Sequence, residues 1–281
     1  MRCQWQAFLS LLPTWMRQSV DNYGKDSLQE LRLRRNVPVE LVTADGPIIL
    51  PRKAEGEDMQ FCINAASRYS PWNAATAASG YITAPGGHRI GLCGEAVISC
   101  GNMTGVRTTT SLCLRVARDF PGVADALSAT KGSVLILGPP GSGKTTFLRD
   151  LIRQRSCHDK GSIGVVDEKG ELFPVCQGES CFETGNHTDI LTGCGKSAGI
   201  ELLLKNMGPK TVAVDEITSK EDCGALLHAG WCGVDLIATA HASDVTDLRL
   251  RPIYRPILES GLFSTAVVLR PDKSWRKERI Q

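Results

Sequence analysis

The sequence predicts an α/β protein in two parts, a C-terminal domain on a mostly parallel sheet and a smaller α+β domain before it. Short apolar runs recur beyond residue 132, at 133–137, 162–166, 211–214, 234–240 and 265–269, and they are largely β-branched. Runs of that length suit central parallel strands covered on both faces. Helical stretches separate several of them, which is the alternation of a doubly wound sheet. Earlier in the chain the pattern differs, with short strands and helices mixed and polar residues interleaved among apolar ones.

A chain of 281 residues accommodates two domains. We place them at residues 1–120 and 133–281, with 121–132 as a linker marked by Pro121 and Gly122. Hydrophobic residues at 42% and charged residues at 22% are an ordinary globular mixture, so no special stabilising device is required. A net charge of +2 is too small to point to nucleic acid. No apolar run approaches the roughly 18 residues that a membrane-crossing helix needs.

Phe8, Leu11, Leu12 and Trp15 recur at helical spacing around Pro13, so one amphipathic helix packing on its own domain is expected, with a membrane surface as the rival. Residues 28–34, LQELRLR, alternate apolar and charged side chains and read as a half-buried strand whose arginines face solvent. A second strand follows at 38–42, a helix at 57–69 and an Ala-rich stretch at 72–79. Residues 81–99 read as three strands separated by a Pro-Gly-Gly turn and a glycine-marked turn, and 110–117 as another strand. The basic tail, 272–281, reads as a solvated end. Eleven scattered cysteines without a C-x-x-C pair read as reduced and mostly buried thiols rather than a zinc site.

Residues 138–146, GPPGSGKTT, match G-x-x-x-x-G-K-[ST] in full, after a strand and before a helix. Gly138, Gly141 and Gly143 let the loop through Pro139, Pro140 and Ser142 turn its N–H groups inward around phosphates. The helix dipole adds positive potential there. Lys144 is expected to reach the terminal phosphates, Thr145 to ligate Mg2+, and Thr146 to complete the cradle. The C-terminal domain is therefore expected to be a RecA-like P-loop NTPase domain. With no N-K-x-D box in the chain, ATP is the expected nucleotide.

Two acidic pairs end strands. Asp215 and Glu216 follow TVAV, so Asp215 is the expected magnesium residue and Glu216 a candidate to activate water. Asp167 and Glu168 follow SIGVV, and Glu171 comes three residues later, so Glu168 or Glu171 could hold that role instead. His241 ends the next apolar strand, where it could sense the γ-phosphate.

GPPGSGKTTFLRD, GVVDEKGEL, AVDEITSKED and ATAHASDVTDL occur in an order and spacing that resemble the stage III sporulation protein AA family. So do LQELRLRRNVPVEL, GGHRIGLCGEAV and RVARDFPGVADAL in the N-terminal part, and the likeness runs over residues 25–270. That family is similar to the ATPases of type II and type IV secretion. The resemblance implies ATP hydrolysis in a homo-hexameric ring, with the ATP site between the two domains. It implies a role in driving or gating a transport apparatus between mother cell and forespore. It also implies a cytoplasmic location, peripheral at the membrane through membrane proteins of a sporulation channel. By that similarity Glu168 or Glu171 is favoured as the base and Asp215 stays with magnesium, while Glu216 remains a rival. One departure is His187, which stands where the family pattern has arginine and replaces a fixed charge with an imidazole. Arg89, Arg107, Arg115 and Arg118 are candidates to complete a neighbour's site.

Two other functions compete. A nucleic-acid-dependent motor needs a basic groove or stacking aromatics, and aromatic residues are only 6% here. A nucleotide-dependent switch would use the same residues with little hydrolysis.

Overall fold

The computed structural model describes residues 1–68, 80–158, 161–176 and 178–280, with only the backbone at Asn102. Contacts divide them into two compact units, residues 1–119 with 174–182, and residues 120–173 with 183–281. The expected linker, 121–132, falls within the second unit.

In the first unit α1 (Trp5–Ser10), α2 (Thr14–Asp21) and α3 (Gly24–Ser27) lead into β1 (Leu28–Arg34), β2 (Pro38–Thr43) and β3 (Gly46–Lys53). After α4 (Gly56–Ser67) come β4 (Tyr81–Thr83), β5 (Arg89–Ser99) and β6 (Asn102–Arg115). Among the described residues these six strands form one sheet in the order β3-β2-β1-β6-β5-β4, antiparallel throughout. Alternation sets its faces. Leu31, Leu33, Val39 and Leu41 are buried with Phe8, Leu12 and Met16 of the N-terminal segment and with Met59 and Cys62 of α4. On β1, Arg32 pairs with Glu30 at 2.8 Å, and Arg34 pairs with Glu40 of β2 at 2.6 Å.

Two expectations change here. The N-terminal helix is two helices, because Pro13, with an extended ψ of 145°, stands immediately before α2 and interrupts the ladder. Its apolar side is spent on the unit's own core, where Phe8, Leu11 and Leu12 are at most 1% exposed. Residues 89–99 are one strand, and Gly94 marks a register shift rather than a turn. A Cβ there would lie 2.7 Å from the Thr108 carbonyl oxygen, so glycine permits this close approach. The Ala-rich stretch 72–79 lies outside the described residues.

The second unit holds β7 (Val134–Leu137), α5 (Lys144–His158) and β8 (Ile163–Asp167). A hairpin follows, β9 (Val175–Cys176) with β10 (Glu179–Ser180), which belongs to the first unit. The second unit then continues with β11 (Thr188–Thr192), α6 (Lys196–Asn206), β12 (Thr211–Val214) and α7 (Lys220–Trp231). It ends with β13 (Asp235–Ala240), α8 (Val245–Leu250), α9 (Arg255–Glu259), β14 (Thr265–Leu269) and β15 (Trp275–Arg279). Seven strands, among the described residues, run in the order β11-β8-β12-β13-β7-β14-β15. All neighbours are parallel except β14 and β15.

Leu135, Leu137, Val212, Val214, Leu236 and Ala238 share one core cluster with residues of α6, α7, α8 and α9. Phe147, Leu148, Leu151 and Ile152 of α5 are buried outside that cluster, against the opposite face. The tail is a correction. It is an edge strand paired with β14 from Trp275 opposite Leu269 to Arg279 opposite Thr265. Its charged residues fit a strand with a free edge.

The cysteines also depart from expectation. Only Cys62 and Cys223 are buried, while Cys93, Cys100, Cys157 and Cys232 are exposed.

Candidate functional site

Parallel strands present their C-terminal ends, and the loops that follow them, to one edge of the sheet. The loop after β7, residues 138–143, lies there and passes directly into α5. Gly141 and Gly143 take φ of +74° and +97°, which glycine adopts without strain. Gly138 is needed for space, since a Cβ would sit 2.4 Å from Ser142 Oγ. Ser142 Oγ is itself buried without a hydrogen-bond partner among the described residues. A phosphate oxygen would satisfy it.

Lys144 folds back over this loop. Its ammonium donates to the carbonyls of Gly138 at 2.9 Å and Pro139 at 3.0 Å, and lies 3.0 Å from His241 Nδ1. Burial pulls its pKa below the ordinary lysine value, against the opposing charges of Asp215 and Glu216. Thr145 Oγ1 donates to Asp215 Oδ2 at 2.7 Å, and Thr239 Oγ1 donates to Asp215 Oδ1 at 2.6 Å. A carboxylate between two hydroxyls forms an oxygen-rich cluster of the kind Mg2+ takes.

Glu216 follows with φ of +49°, a left-handed turn at a residue that is not glycine. Its N–H donates to Thr239 Oγ1 at 2.7 Å. Its carboxylate lies 2.8 Å from His241 Nε2 and accepts from Lys169 Nζ at 3.1 Å. Burial would raise its pKa, but Lys169 and then His241 outweigh it and the carboxyl titrates below the ordinary value. With Lys144 donating to Nδ1, His241 directs the N–H of its Nε2 at the Glu216 carboxylate.

These groups line one cavity of about 740 Å³, shared with Pro140 through Thr146 and walled by Phe120, Leu269 and Trp275. The fold thus gathers Lys144, Thr145, Asp215, Glu216 and His241, from segments far apart in sequence.

Glu168 and Glu171 are placed differently, and neither lines this cavity. Glu168 accepts from Lys196 Nζ at 2.6 Å, and Glu171 is exposed. Asp167 is 1% exposed and turned onto its own loop, accepting the N–H groups of Glu171 and Phe173, both at 2.9 Å. Arg149 of α5 holds the same loop through the carbonyls of Leu172 and Glu171. His187 is exposed and donates its N–H to Ser156 Oγ at 2.8 Å, outside the cavity lining.

The four candidate arginines are engaged within the first unit. Arg89 stacks on Tyr81 at 3.8 Å, Arg107 pairs with Glu95 at 2.7 Å, Arg115 pairs with Glu30 at 3.1 Å, and Arg118 donates to the Lys25 carbonyl at 2.8 Å.

Thr239 and Lys169 were not singled out from sequence. Thr239 had a usable signal, a hydroxyl inside the apolar run LIATA beside the strand carrying Asp215. Lys169 lies in a charged loop and had none.

The family described as sporulation stage III, protein AA, matches residues 4–279. The stage III sporulation protein AA of Bacillus subtilis (strain 168) is 34% identical over 266 residues, covering 90% of this chain and 87% of its own. Among solved structures, the Legionella pneumophila ATPase DotB superposes with a TM-score of 0.58 at 16% identity, over 95% of this chain and 80% of its own. The pilus retraction motor PilT, solved with bound ADP, gives 0.61 at 13% identity, over 89% and 76%. At such identities these two establish the fold alone, a RecA-like α/β fold. Among the described residues no helix is long and apolar enough to cross a membrane. With its family matched from residue 4 to residue 279, this chain belongs to the stage III sporulation protein AA family.

Proposed function

We propose that this chain binds ATP with Mg2+ in the cavity of its second unit and hydrolyses it, with Glu216 as the water-activating carboxylate. The observation that carries the reading is the convergence of Lys144, Thr145, Asp215, Glu216 and His241 on one cavity beside the phosphate loop.

Each residue has a distinct task. The loop N–H groups and Lys144 hold the phosphates. Thr145 and Asp215 hold Mg2+, which neutralises charge on the phosphoryl group. Glu216 is kept ionised by Lys169 and His241, so it accepts a hydrogen bond from water and fixes its direction toward the phosphate. His241 touches both Lys144 and Glu216. A phosphate that draws Lys144 away changes what His241 receives at Nδ1, and Nε2 passes that change to Glu216. This is a sensing role for His241.

The assignment of Glu216 moves away from Glu168 and Glu171, which the family likeness favoured. Its support is position, since neither of those two lines the cavity. The wider role follows the family. The chain works as a homo-hexamer on the cytoplasmic side, docked on membrane proteins of a sporulation channel, and powers or gates transport between mother cell and forespore.

The test is single-turnover ATP hydrolysis alongside nucleotide affinity. Wild type is expected to hydrolyse, Lys144→Ala to lose binding, and Glu216→Gln to bind normally and stall. Tight binding without turnover, at any protein concentration, would make the isolated chain a switch and leave no carboxylate to call catalytic.

A further inference from the structure

The hairpin between β14 and β15 reaches the phosphate loop, and nothing in the sequence motif anticipates it. Leu269 pairs with Trp275, so five residues make the turn. The turn is tightly fixed. Ser274 O accepts from Arg270 N–H at 2.9 Å, and Arg270 O accepts from Lys273 N–H at 3.0 Å. Asp272 Oδ1 takes both the N–H and the hydroxyl of Ser274, at 2.9 and 2.6 Å. Within it Lys273 has φ of +69°, a left-handed position where glycine or asparagine is the easy choice.

What the lysine does with that position is visible. Its ammonium donates to the Gly141 carbonyl, at the crest of the phosphate loop. Its stem lies over Gly143, where a Cβ would find Lys273 Cδ at 3.8 Å. It lines the same cavity as Lys144, and Trp275, one residue beyond the turn, packs edge-on to Phe147 at 5.4 Å.

We infer that Lys273 is a second phosphate-binding cation of this site, parked on the Gly141 carbonyl and transferred to a phosphate oxygen when nucleotide enters. This rests on the nucleotide reading above and extends it to a residue outside the motif. The physical case is one of competing acceptors. A lysine ammonium has three N–H donors and the Gly141 carbonyl takes one of them. A neutral carbonyl is a weaker partner for an ammonium than a phosphate oxygen, because a bond with charge on both sides is roughly twice as strong. The stem already crosses the loop, so the exchange needs side-chain rotation and no backbone movement.

The test uses the full chain and calorimetric titration with Mg·ADP and with inorganic pyrophosphate, which lacks the base. Lys273→Gly removes the amine and suits the left-handed backbone, so it is not expected to unfold the hairpin. Thermal unfolding without ligand checks this. Lys273→Gly is expected to weaken both ligands by about ten-fold, a loss of one charged hydrogen bond. Lys273→Arg is expected to restore both to within about three-fold.

Unchanged affinity in Lys273→Gly overturns the inference, as does loss of ADP with pyrophosphate intact, which would make the hairpin a wall for the base. If Lys144→Ala loses binding while Lys273→Gly keeps it, this inference fails alone. If wild type binds neither ligand, it falls together with the nucleotide reading.

Discussion

Two neighbouring strands of the second unit end in the same dipeptide, and the chain uses the two copies in opposite ways. Val166 of β8 and Val214 of β12 lie side by side in the sheet, so Asp167 and Asp215 stand at equivalent positions. What separates them is sheet order and the chain that follows. β12 is hydrogen-bonded to β13, which brings Thr239 and His241, and β13 lies beside β7, whose loop brings Lys144 and Thr145. β8 is one strand further out. After Asp167 the loop folds back and its amides take the carboxylate. After Asp215 the left-handed Glu216 turns its own carboxylate to His241. A strand-end acid thus joins a cavity-lining cluster or staples its own loop according to its neighbours rather than its own identity.

Removing one carboxylate from each pair tests this most strongly. Glu216→Gln is expected to lower the single-turnover rate by about 10²–10⁴-fold, the usual range for a positioned acid–base group. Glu168→Gln, which loses only its bond to Lys196, is expected to stay within about three-fold of wild type. The reverse outcome, with Glu168→Gln stalled and Glu216→Gln active, would break the comparison outright.

The aspartates separate by kind of effect. Asp215→Asn is expected to raise the Mg2+ concentration for half-maximal nucleotide binding by about ten-fold or more, since it removes the charge between Thr145 and Thr239. Asp167→Ala leaves the N–H groups of Glu171 and Phe173 without their acceptor. It should cost about 1–3 kcal/mol in denaturant unfolding and leave Mg2+ dependence alone. A magnesium defect in the Asp167 variant would put both acids in one site.

The same contrast predicts opposite pH slopes. Burial raises the Asp167 pKa more than the backbone N–H groups of Phe173, Leu172 and Glu171 lower it. Its contribution is therefore complete below the ordinary carboxylate value of 3.8 and is lost as pH climbs through the higher folded value. Glu216 is shifted down, so its contribution is complete above 4.5 and is lost as pH falls through the lower folded value. Unfolding of wild type against Asp167→Asn should show the variant gaining ground as pH rises from 3.8, by at most about 1.4 kcal/mol per unit. Against Glu216→Gln, wild type should lose ground below 4.5. Parallel slopes would mean that the two carboxyls share one environment.

Sequence legibility follows the same line between local and tertiary causes. The phosphate loop could be read because its glycines, lysine and threonine act within nine residues. The central strands could be read because burial on both faces leaves continuous apolar runs. The edge strands β11 and β15 could not, since TDILT and WRKER carry the polar residues of a half-exposed border. Nor could the choice between Glu168 and Glu216, which depends on strand order, a property of no short stretch. Lys273 escaped for a related reason, because its turn meets residue 141 only after β14 has paired with β7.

The smallest expected effect is the most informative about Glu216. Lys169 follows directly on the first acidic pair, yet its ammonium reaches the second, pairing with Glu216 across 3.1 Å. Both side chains are part exposed, at 55% and 31%, so the pair should add less than about 1 kcal/mol to stability. Its consequence is for titration. With Lys169→Gln that favourable charge is gone while the burial of Glu216 and its bond to His241 remain, so its pKa should rise toward the ordinary value. The acid limb of the single-turnover rate should then move to higher pH, with the neutral-pH rate nearly unchanged. A limb that stays in place would show that the turn at Glu216 and His241 alone set its charge, and that the two loops act independently. A limb that moves would mean that the staple loop, fastened by Asp167 and Arg149, also holds the lysine that keeps its neighbour's carboxylate ionised.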